Sequence, residues 1–379
     1  MRFKIQRQHF LKVLRAVAGV VERHKQAALH PVLGQVLIRV ADQKLSLIAT
    51  DQEIELLAST SLLEPEAVSG EITVAIRKLL DICSSVAEDQ VLSFVVEQGG
   101  FIIRAGRGRF KLSILSAQSF PAFHATPDPD ALVFSVSRSQ LRTLMAETEF
   151  AMAEKDLRSY LNAMLWEVKE RKLYCVAADG HRLAFGSLSL DLDPLQKMRM
   201  LLPRKAILGL QRTFLQRGEE TTEDMVQISI SARHFCAQAS DLCLNSVVLE
   251  PNFPDFWRII NTAGDKVLKV GREALKQALH RAAALLGDRS KGVRLELSAG
   301  LLKILATNAD QDEIEEELAV DYQGPPLVLG FNLRYLTEFL AVLQSEDLSI
   351  DFSNSESAAR LKGLDEGQQG IYVIMPMSI

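Results

Sequence analysis

The sequence predicts three consecutive α+β domains of similar size, each with two helices packed against antiparallel strands. Three observations predict it. The string Leu45-Ser-Leu-Ile-Ala-Thr-Asp51 returns as Leu173-Tyr-Cys-Val-Ala-Ala-Asp179 and as Leu302-Lys-Ile-Leu-Ala-Thr-Asn308, with the final residues 128 and 129 positions apart. A strand followed by an amphipathic helix opens each unit, at Phe3-Lys-Ile5, Phe134-Ser-Val136 and Leu268-Lys-Val270, spaced by 131 and 134. A second helix starts near Arg77-Lys78, Arg204-Lys205 and Arg334, and from Lys78 to Lys205 to Arg334 the steps are 127 and 129. Three independent markers with one period identify an internal repeat.

The helices after the opening strands carry apolar stripes at the helical period. These are Phe10, Leu14, Val17 and Val21, then Leu141, Leu144, Met145 and Met152, then Leu275, Ala278, Leu279, Ala282 and Leu286. Asp51, Asp179 and Asn308 end apolar strands and are turn formers that bond their own backbone. The second helices present Ile76, Leu79, Leu80 and Cys83, then Ile207, Leu210 and Phe214, then Leu336, Phe339, Leu340 and Leu343. Alternating strands close each unit, as where Val91-Leu-Ser-Phe-Val-Val96 turns through Gly99-Gly100 into Phe101-Ile-Ile103. Proline-bearing stretches, Phe120-Pro121 to Pro129 and Pro251 to Pro254, separate the units. The expected domains are 1–126, 127–253 and 254–379.

With 379 residues the chain exceeds one ordinary core. Apolar residues at 47% and charged residues at 24% fit a globular protein. No apolar run approaches the roughly 18–20 residues that span a bilayer, and no h-region follows Met1, so a cytoplasmic protein without membrane contact is expected. Cys83, Cys175, Cys236 and Cys243 show no C-x-x-C spacing, which speaks against structural zinc or a disulfide framework. No metal or cofactor is expected. The net charge of −5 argues against gripping DNA over the whole surface and turns attention to where the basic residues lie.

Three near-equal copies suit a pseudo-symmetric scaffold better than a single catalytic cleft. Arg77, Lys78, Arg204, Lys205 and Arg334, with Arg7, Arg138 and Arg272 before the first helices, would line one side and meet phosphates, which position without specifying sequence. Asp179-Gly-His-Arg182 is the most enzyme-like string, since a His beside an Asp can act as a base. It sits at a strand end matched by Asp51 and Asn308, with no nucleophile motif, and reads better as a turn. Asp310-Gln-Asp-Glu-Ile-Glu-Glu-Glu317 lacks the glycine and spacing of an EF-hand and reads as a charged strand face. Arg104-Ala-Gly-Arg-Gly-Arg109 is a basic strand of opposite sign, which suits head-to-tail closure. Gly106-Arg-Gly108 has no Gly-Lys-Ser/Thr after it and makes no phosphate loop. The residues alone leave open a His- or metal-dependent hydrolase at Asp179–Arg182 and a monomeric repeat scaffold that binds proteins.

Across nearly its whole length the sequence resembles the beta subunit of bacterial DNA polymerase III, the sliding clamps. The resemblance is carried by Val74-Ala-Ile-Arg-Lys-Leu-Leu-Asp-Ile-Cys83, Gly106-Arg-Gly-Arg-Phe110, Asp156-Leu-Arg-Ser-Tyr-Leu-Asn162 and Ala178-Asp-Gly-His-Arg-Leu-Ala184. Phe253-Pro-Asp-Phe256, Lys291-Gly-Val-Arg-Leu295 and Met375-Pro-Met377 complete it. It implies the DNA clamp fold, a head-to-tail homodimeric ring, and a non-catalytic processivity factor. The ring would slide on double-stranded DNA and tether the polymerase III alpha subunit, the clamp loader, and other polymerases and repair proteins through short linear peptides. DNA contacts would fall to Arg77, Lys155, Ser159 and Tyr160, to Arg23 or Lys25, and to Arg204 and Lys205 of the repeated basic set. Ser159 stands where relatives often have a second aromatic. The peptide pocket would comprise Leu161, Gly180, His181, Arg182, Leu183, Pro254, Arg258, Ile259, Met375, Pro376 and Met377, with Leu161, Leu183 and Pro254 in its floor and Arg182 and Arg258 on a polar rim. Ser378 replaces a basic residue common there. The dimer interface would set Phe110 and Leu112 against Ala284 and Leu285, with Lys78, Arg107 and Arg109 facing Glu313, Glu315 and Glu316.

Overall fold

The computed structural model describes residues 1–21, 30–62, 67–97, 99–121, 123, 128–215, 224–262, 264–287, 292–365 and 370–378. One order of elements occurs three times: a strand, a helix, four strands, a helix, three strands. The first set is β1 (Arg2–Gln6), α1 (Arg7–Ala18), β2 (Gln35–Ala41), β3 (Lys44–Thr50), β4 (Ile54–Ser61), β5 (Gly70–Ala75), α2 (Ile76–Ser85), β6 (Val91–Glu97), β7 (Gly100–Ala105) and β8 (Gly108–Leu115). The second is β9 (Leu132–Ser137), α3 (Arg138–Thr148), β10 (Ala163–Lys169), β11 (Lys172–Ala178), β12 (Arg182–Ser189), β13 (Met198–Pro203), α4 (Arg204–Phe214), β14 (Met225–Ile230), β15 (His234–Ala239) and β16 (Leu242–Val247). After a single turn, α5 (Trp257–Ile260), the third follows. It is β17 (Lys266–Gly271), α6 (Arg272–Leu286), β18 (Gly292–Ser298), β19 (Leu301–Thr307), β20 (Glu313–Ala319), β21 (Leu327–Asn332), α7 (Leu333–Val342), β22 (Asp347–Phe352), β23 (Ala359–Gly363) and β24 (Ile371–Ile374).

Each set forms two four-stranded groups, and the groups join across sets. One sheet runs β1-β6-β7-β8-β5-β2-β3-β4-β16-β15-β14-β9, a second runs β13-β10-β11-β12-β24-β23-β22-β17, and a third runs β20-β19-β18-β21. The seams are antiparallel: Leu56 faces Leu244 where β4 meets β16, and Ala184 faces Tyr372 where β12 meets β24. Contacts therefore divide the chain within the middle set. One compact unit holds Met1–Leu141 and Lys205–Val248, the other Arg142–Arg204 and Leu249–Ile379.

The apolar stripes are buried apart from Leu80, which is half-buried, and there are three small differences in extent. Val21 lies beyond α1, Leu343 caps α7, and Met152 lies beyond α3. At the end of α3 the Thr148 hydroxyl donates back to Leu144 O at 2.7 Å, and the chain tightens into a 3₁₀ turn at Glu149–Ala151.

Arg7, Arg138 and Arg272 correct the expectation of a phosphate-facing set. Each is the first residue of its helix, and each backbone N–H donates to the carbonyl just before a later strand: Gln90 at 2.9 Å, Asp224 at 2.8 Å and Glu346 at 2.8 Å. The Arg7 side chain is buried and donates to Cys83 O and Ser84 O, both at 3.0 Å, while Arg272 reaches Leu343 O at 3.1 Å. Arg138 pairs with Asp224 at 3.3 Å. Arg7 and Arg272 thus satisfy carbonyls at helix ends, where positive charge is favoured, and Arg138 is met by a carboxylate. Gly106 takes φ +55° in the two-residue turn joining β7 to β8, so Gly106-Arg-Gly108 is a hairpin turn.

Candidate functional site

Asp51 and Asp179 form the same turn, and Asn308 forms a version one residue longer. Asp179 Oδ1 accepts from His181 N at 2.9 Å and Arg182 N at 3.1 Å. Asp51 Oδ1 accepts from Glu53 N at 3.0 Å and Ile54 N at 2.9 Å, and Asn308 Oδ1 accepts from Asp310 N and Asp312 N, each at 2.9 Å. With Oδ2 of Asp179 also bonded to Arg182 Nε at 3.0 Å, both its oxygens are occupied by the turn they build. Gly180 takes φ +94°, a backbone conformation that favours glycine; the nearest atom to a Cβ there, Arg158 Nη2 at 2.7 Å, is the end of a flexible side chain that could move aside.

Around this turn the second unit builds an apolar surface. Leu161 and Leu183 are buried with Phe253, Phe256, Ile260 and Val373, and Tyr160, Tyr174 and Trp257 pack against that cluster. Above it Ile259, Met375 and Met377 are exposed at 41%, 45% and 41%, high for apolar residues beside a core. His181, Pro254 and Arg258 are exposed, and Pro376 is half-buried. The methionines belong to an anchored segment, since Met375 N donates to His181 O at 2.8 Å and Met377 N to Gly330 O at 2.9 Å.

Arg182 corrects the expectation of a rim residue. Its side chain is 5% exposed, ion-paired to Asp179 and to Glu338, bonded to Phe150 O at 2.6 Å and stacked over Tyr335 at 4.2 Å. Buried and fully engaged, it builds the wall of the surface. Sequence reasoning did not assign Arg158, Tyr174 and Trp257. Trp257, one of two tryptophans, follows Phe256 directly and offered a signal.

Beside this surface lies the Lys155–Tyr160 loop. Lys155 takes φ +62°, and Asn162 clasps Asp156 through N–H···O bonds of 2.8 and 2.7 Å. Arg158 chelates Asp156 at 2.9 and 3.0 Å, and this bonding holds the Asp156 carboxyl down at about 2. Lys155 and Ser159 are exposed, and Tyr160 is half-buried edge-on to Phe253. Arg77 donates to Val21 O at 3.3 Å and Arg204 to Met152 O at 3.3 Å. Lys205 bonds Asp51 at 2.9 Å and Glu53 at 3.1 Å, so its charge is largely met within the chain. Arg23 and Lys25 lie outside the described residues.

Arg107 in the turn before β8 and Arg109 on β8 are exposed and Phe110 and Leu112 half-buried, with Lys78 exposed on α2. On α6, Ala284 is exposed and Leu285 half-buried. On β20, Glu313 and Glu315 share a face with Glu317, and Lys303 bonds Glu315 and Glu317, both at 2.8 Å. Glu316 is corrected: it alternates to the other face and is held by Arg281, so it does not stand in one row with Glu313 and Glu315. No three His, Cys, Asp or Glu among the described residues are placed to hold a metal, and no helix there is long and apolar enough to cross a membrane.

Family models of the DNA polymerase III beta subunit match in three parts: the N-terminal domain over residues 1–124, the central domain over 135–255 and the C-terminal domain over 257–378. The beta sliding clamp of Pseudomonas putida is 42% identical and that of Escherichia coli K12 is 35% identical, each over 100% of both chains. A crystal structure of the Pseudomonas aeruginosa sliding clamp bound to griselimycin superposes with a TM-score of 0.92 at 41% identity, covering 100% of both chains. The chain belongs to the DNA polymerase III beta subunit family, the sliding clamps.

Proposed function

We propose that this chain, by its family a non-catalytic processivity factor of DNA replication, closes with a second copy into a ring on duplex DNA and tethers peptides of its partners at the Met375–Met377 surface. The strand seams carry this reading. Where one set gives way to the next, β4 pairs with β16 and β12 pairs with β24. The third set ends at β20, an edge strand, and β8 pairs only with β7 over residues 108–113. Open edges are liabilities unless paired. The rule of the two seams, extended once more, joins β20 to β8 of a second copy.

The turns fix the register. Ile54, Arg182 and Asp312 are equivalent because their carbonyls accept from Asp51, Asp179 and Asn308, and Gly108 is equivalent to Leu242 as the first residue after a two-residue hairpin turn. Equivalence to the first seam sets Ile314 against Phe110, Glu313 against Lys111, Glu315 against Arg109 and Glu317 against Arg107. Every pair on the outer face is then oppositely charged. Lys78 would meet the Asn308 turn of the second copy as Lys205 meets Asp51. One β1–β8-type set falls within each of the proposed domains 1–126, 127–253 and 254–379.

Within the ring Arg77, Lys155, Ser159, Tyr160 and Arg204, with Arg23 or Lys25, would meet phosphates of the duplex. Lys205, already paired, would contribute least. The exposed methionines over a rigid apolar floor suit several related peptides, those of the polymerase III alpha subunit, the clamp loader and other polymerases and repair proteins, because thioethers adapt their shape. The setting is cytoplasmic, without cofactor or membrane. The test is retention on DNA: the protein, once loaded, should stay on closed circles and run off when the circle is cut. Equal retention on circular and linear DNA would defeat the reading.

A further inference from the structure

The hairpin of β15 and β16 carries two cysteines for which the proposed function has no use. Phe235, Ala237, Leu244 and Ser246 point to the buried face of these strands, and Cys236 and Cys243 alternate with them, on the face of Gln238 and Asn245. The register sets Cys236 opposite Asn245 and Cys243 opposite Gln238, so the cysteines are diagonal neighbours near the two-residue turn at Ser240-Asp241. Their sulfurs are 3.7 Å apart, and both are half-buried free thiols. Cys243 Sγ also lies 3.8 Å from Asn245 Oδ1, and Asn245 Nδ2 donates to Glu55 Oε1 at 3.1 Å across the β4–β16 seam. A cysteine in a sheet ordinarily serves as a small apolar side chain. That accounts for Cys83 and Cys175, which are buried and whose thiols burial pushes up. It does not account for two thiols in contact on the polar face of a hairpin. The hydrogen bond between them draws the Cys236 thiol down and pushes the Cys243 thiol up, so the pair gives up one proton readily and holds the second.

We infer that Cys236 and Cys243 form an oxidation site for hydroperoxides, which closes reversibly into a disulfide across the hairpin. The Cys236 thiolate attacks the peroxide: an S–O bond forms, the O–O bond breaks, and the departing hydroxide takes up the proton that Cys236 first released and leaves as water. Cys236 is then a sulfenic acid. The sulfur of Cys243 attacks it: the S–S bond forms, the S–O bond breaks, and the hydroxyl leaves with the Cys243 proton as a second water. Two thiols lose two electrons in all, and the peroxide gains them. Closing the bond brings the sulfurs from 3.7 Å to about 2.05 Å. Diagonal positions on neighbouring strands lie roughly 7–8 Å apart at Cα, just beyond the usual span of a disulfide. The hairpin must therefore draw in as the bond forms, which keeps the bond easily reduced. The same movement takes Cys243 away from Asn245, the residue that ties β16 to Glu55.

The experiment exposes the folded full chain to hydrogen peroxide at neutral pH and reads it by mass spectrometry, intact and after digestion without reduction. The wild-type chain should lose two hydrogens and give a linked peptide pair joining Cys236 to Cys243 within one chain. The pair should be consumed at least about tenfold faster than Cys83 or Cys175, as exposure and thiolate content require. Dithiothreitol should return all four thiols. Cys243→Ala should form no linked peptide and should leave Cys236 as a sulfenic acid that dimedone traps. A wild-type chain that carries sulfenic or sulfinic acid at Cys236 with no linked peptide would overturn the site. So would loss of Cys83 or Cys175 as fast as the pair. The readout is the same whether or not the protein stays on circular DNA, so it stands apart from the proposed function.

Discussion

Arg182 on β12 and Glu338 on α7 form an ion pair at 2.5 Å across 156 positions of sequence, and the same guanidinium holds Asp179 at 3.0 Å. A buried cation with two carboxylates and an aromatic face ties the second set of strands to the third at the edge of the methionine surface.

Removing that cation leaves Asp179 and Glu338 in a poorly solvated place without their partner. Arg182→Ala should therefore cost about 3–5 kcal/mol in denaturant unfolding. Arg182→Lys should cost less, because the charge survives while the forked geometry and the stacking on Tyr335 are lost. Equal losses for the two variants would show that packing, and not charge, is what Arg182 supplies.

At the methionine surface, Met375→Ala/Met377→Ala keeps the backbone bonds to His181 and Gly330. Binding of polymerase-derived peptides, read by fluorescence anisotropy, should weaken at least tenfold while the melting temperature holds. Truncation after Ile374 should abolish binding and also lower stability by about 1 kcal/mol for each backbone bond removed. Wild-type affinity in the double alanine variant would move the pocket elsewhere.

The interface register makes a charge-swap prediction. Solution mass should be near twice 42.1 kDa. Arg107→Glu/Arg109→Glu should shift it toward one protomer, because like charges would face each other in two rows. Adding Glu315→Arg/Glu317→Arg to the same chain should restore the dimer. A dimer indifferent to the first pair of changes would remove this interface.

The four cysteines should differ in reactivity. The sulfurs of Cys236 and Cys243 sit 3.7 Å apart on a hairpin, and the hydrogen bond between them draws the Cys236 thiol down from its usual value. Burial pushes Cys83 up to about 12 and Cys175 well up. A lowered thiol carries more thiolate at any pH below its usual value, so iodoacetamide at neutral pH should label Cys236 first and spare Cys83 and Cys175. Cys243→Ala removes that bond and should slow Cys236 and shift its labelling profile to higher pH. Mass spectrometry of the digested protein reads both.

Much of this fold stood in the sequence because the repeat is local. Each strand, helix stripe and Asx turn is a pattern within some ten residues, and its recurrence near 128 positions reinforced it. The seams were not legible: which strand of one set meets which of the next is settled by edges in space. Arg182 was misjudged for the same reason. An arginine beside an exposed His181 reads as surface until Glu338, far along the chain, turns out to be its partner. Arg7 looked like one of a basic row and is a buried cap, since Cys83 and Ser84 offer carbonyls that no sequence pattern marks.

The bonds from Arg7, Arg138 and Arg272 to Gln90, Asp224 and Glu346 also bear on synthesis. In each set the first helix is pinned to the chain just ahead of the last three strands, so a nascent chain cannot complete the set until nearly all of it has left the ribosome. Arg7 must wait for Gln90, and until then β1 has no β6 to pair with. Contacts of such long sequence separation slow closure and lengthen the time that apolar strands stay exposed. The vulnerable interval should come three times per chain, once as each set nears completion, and it should shorten if the codons between the helices are read faster.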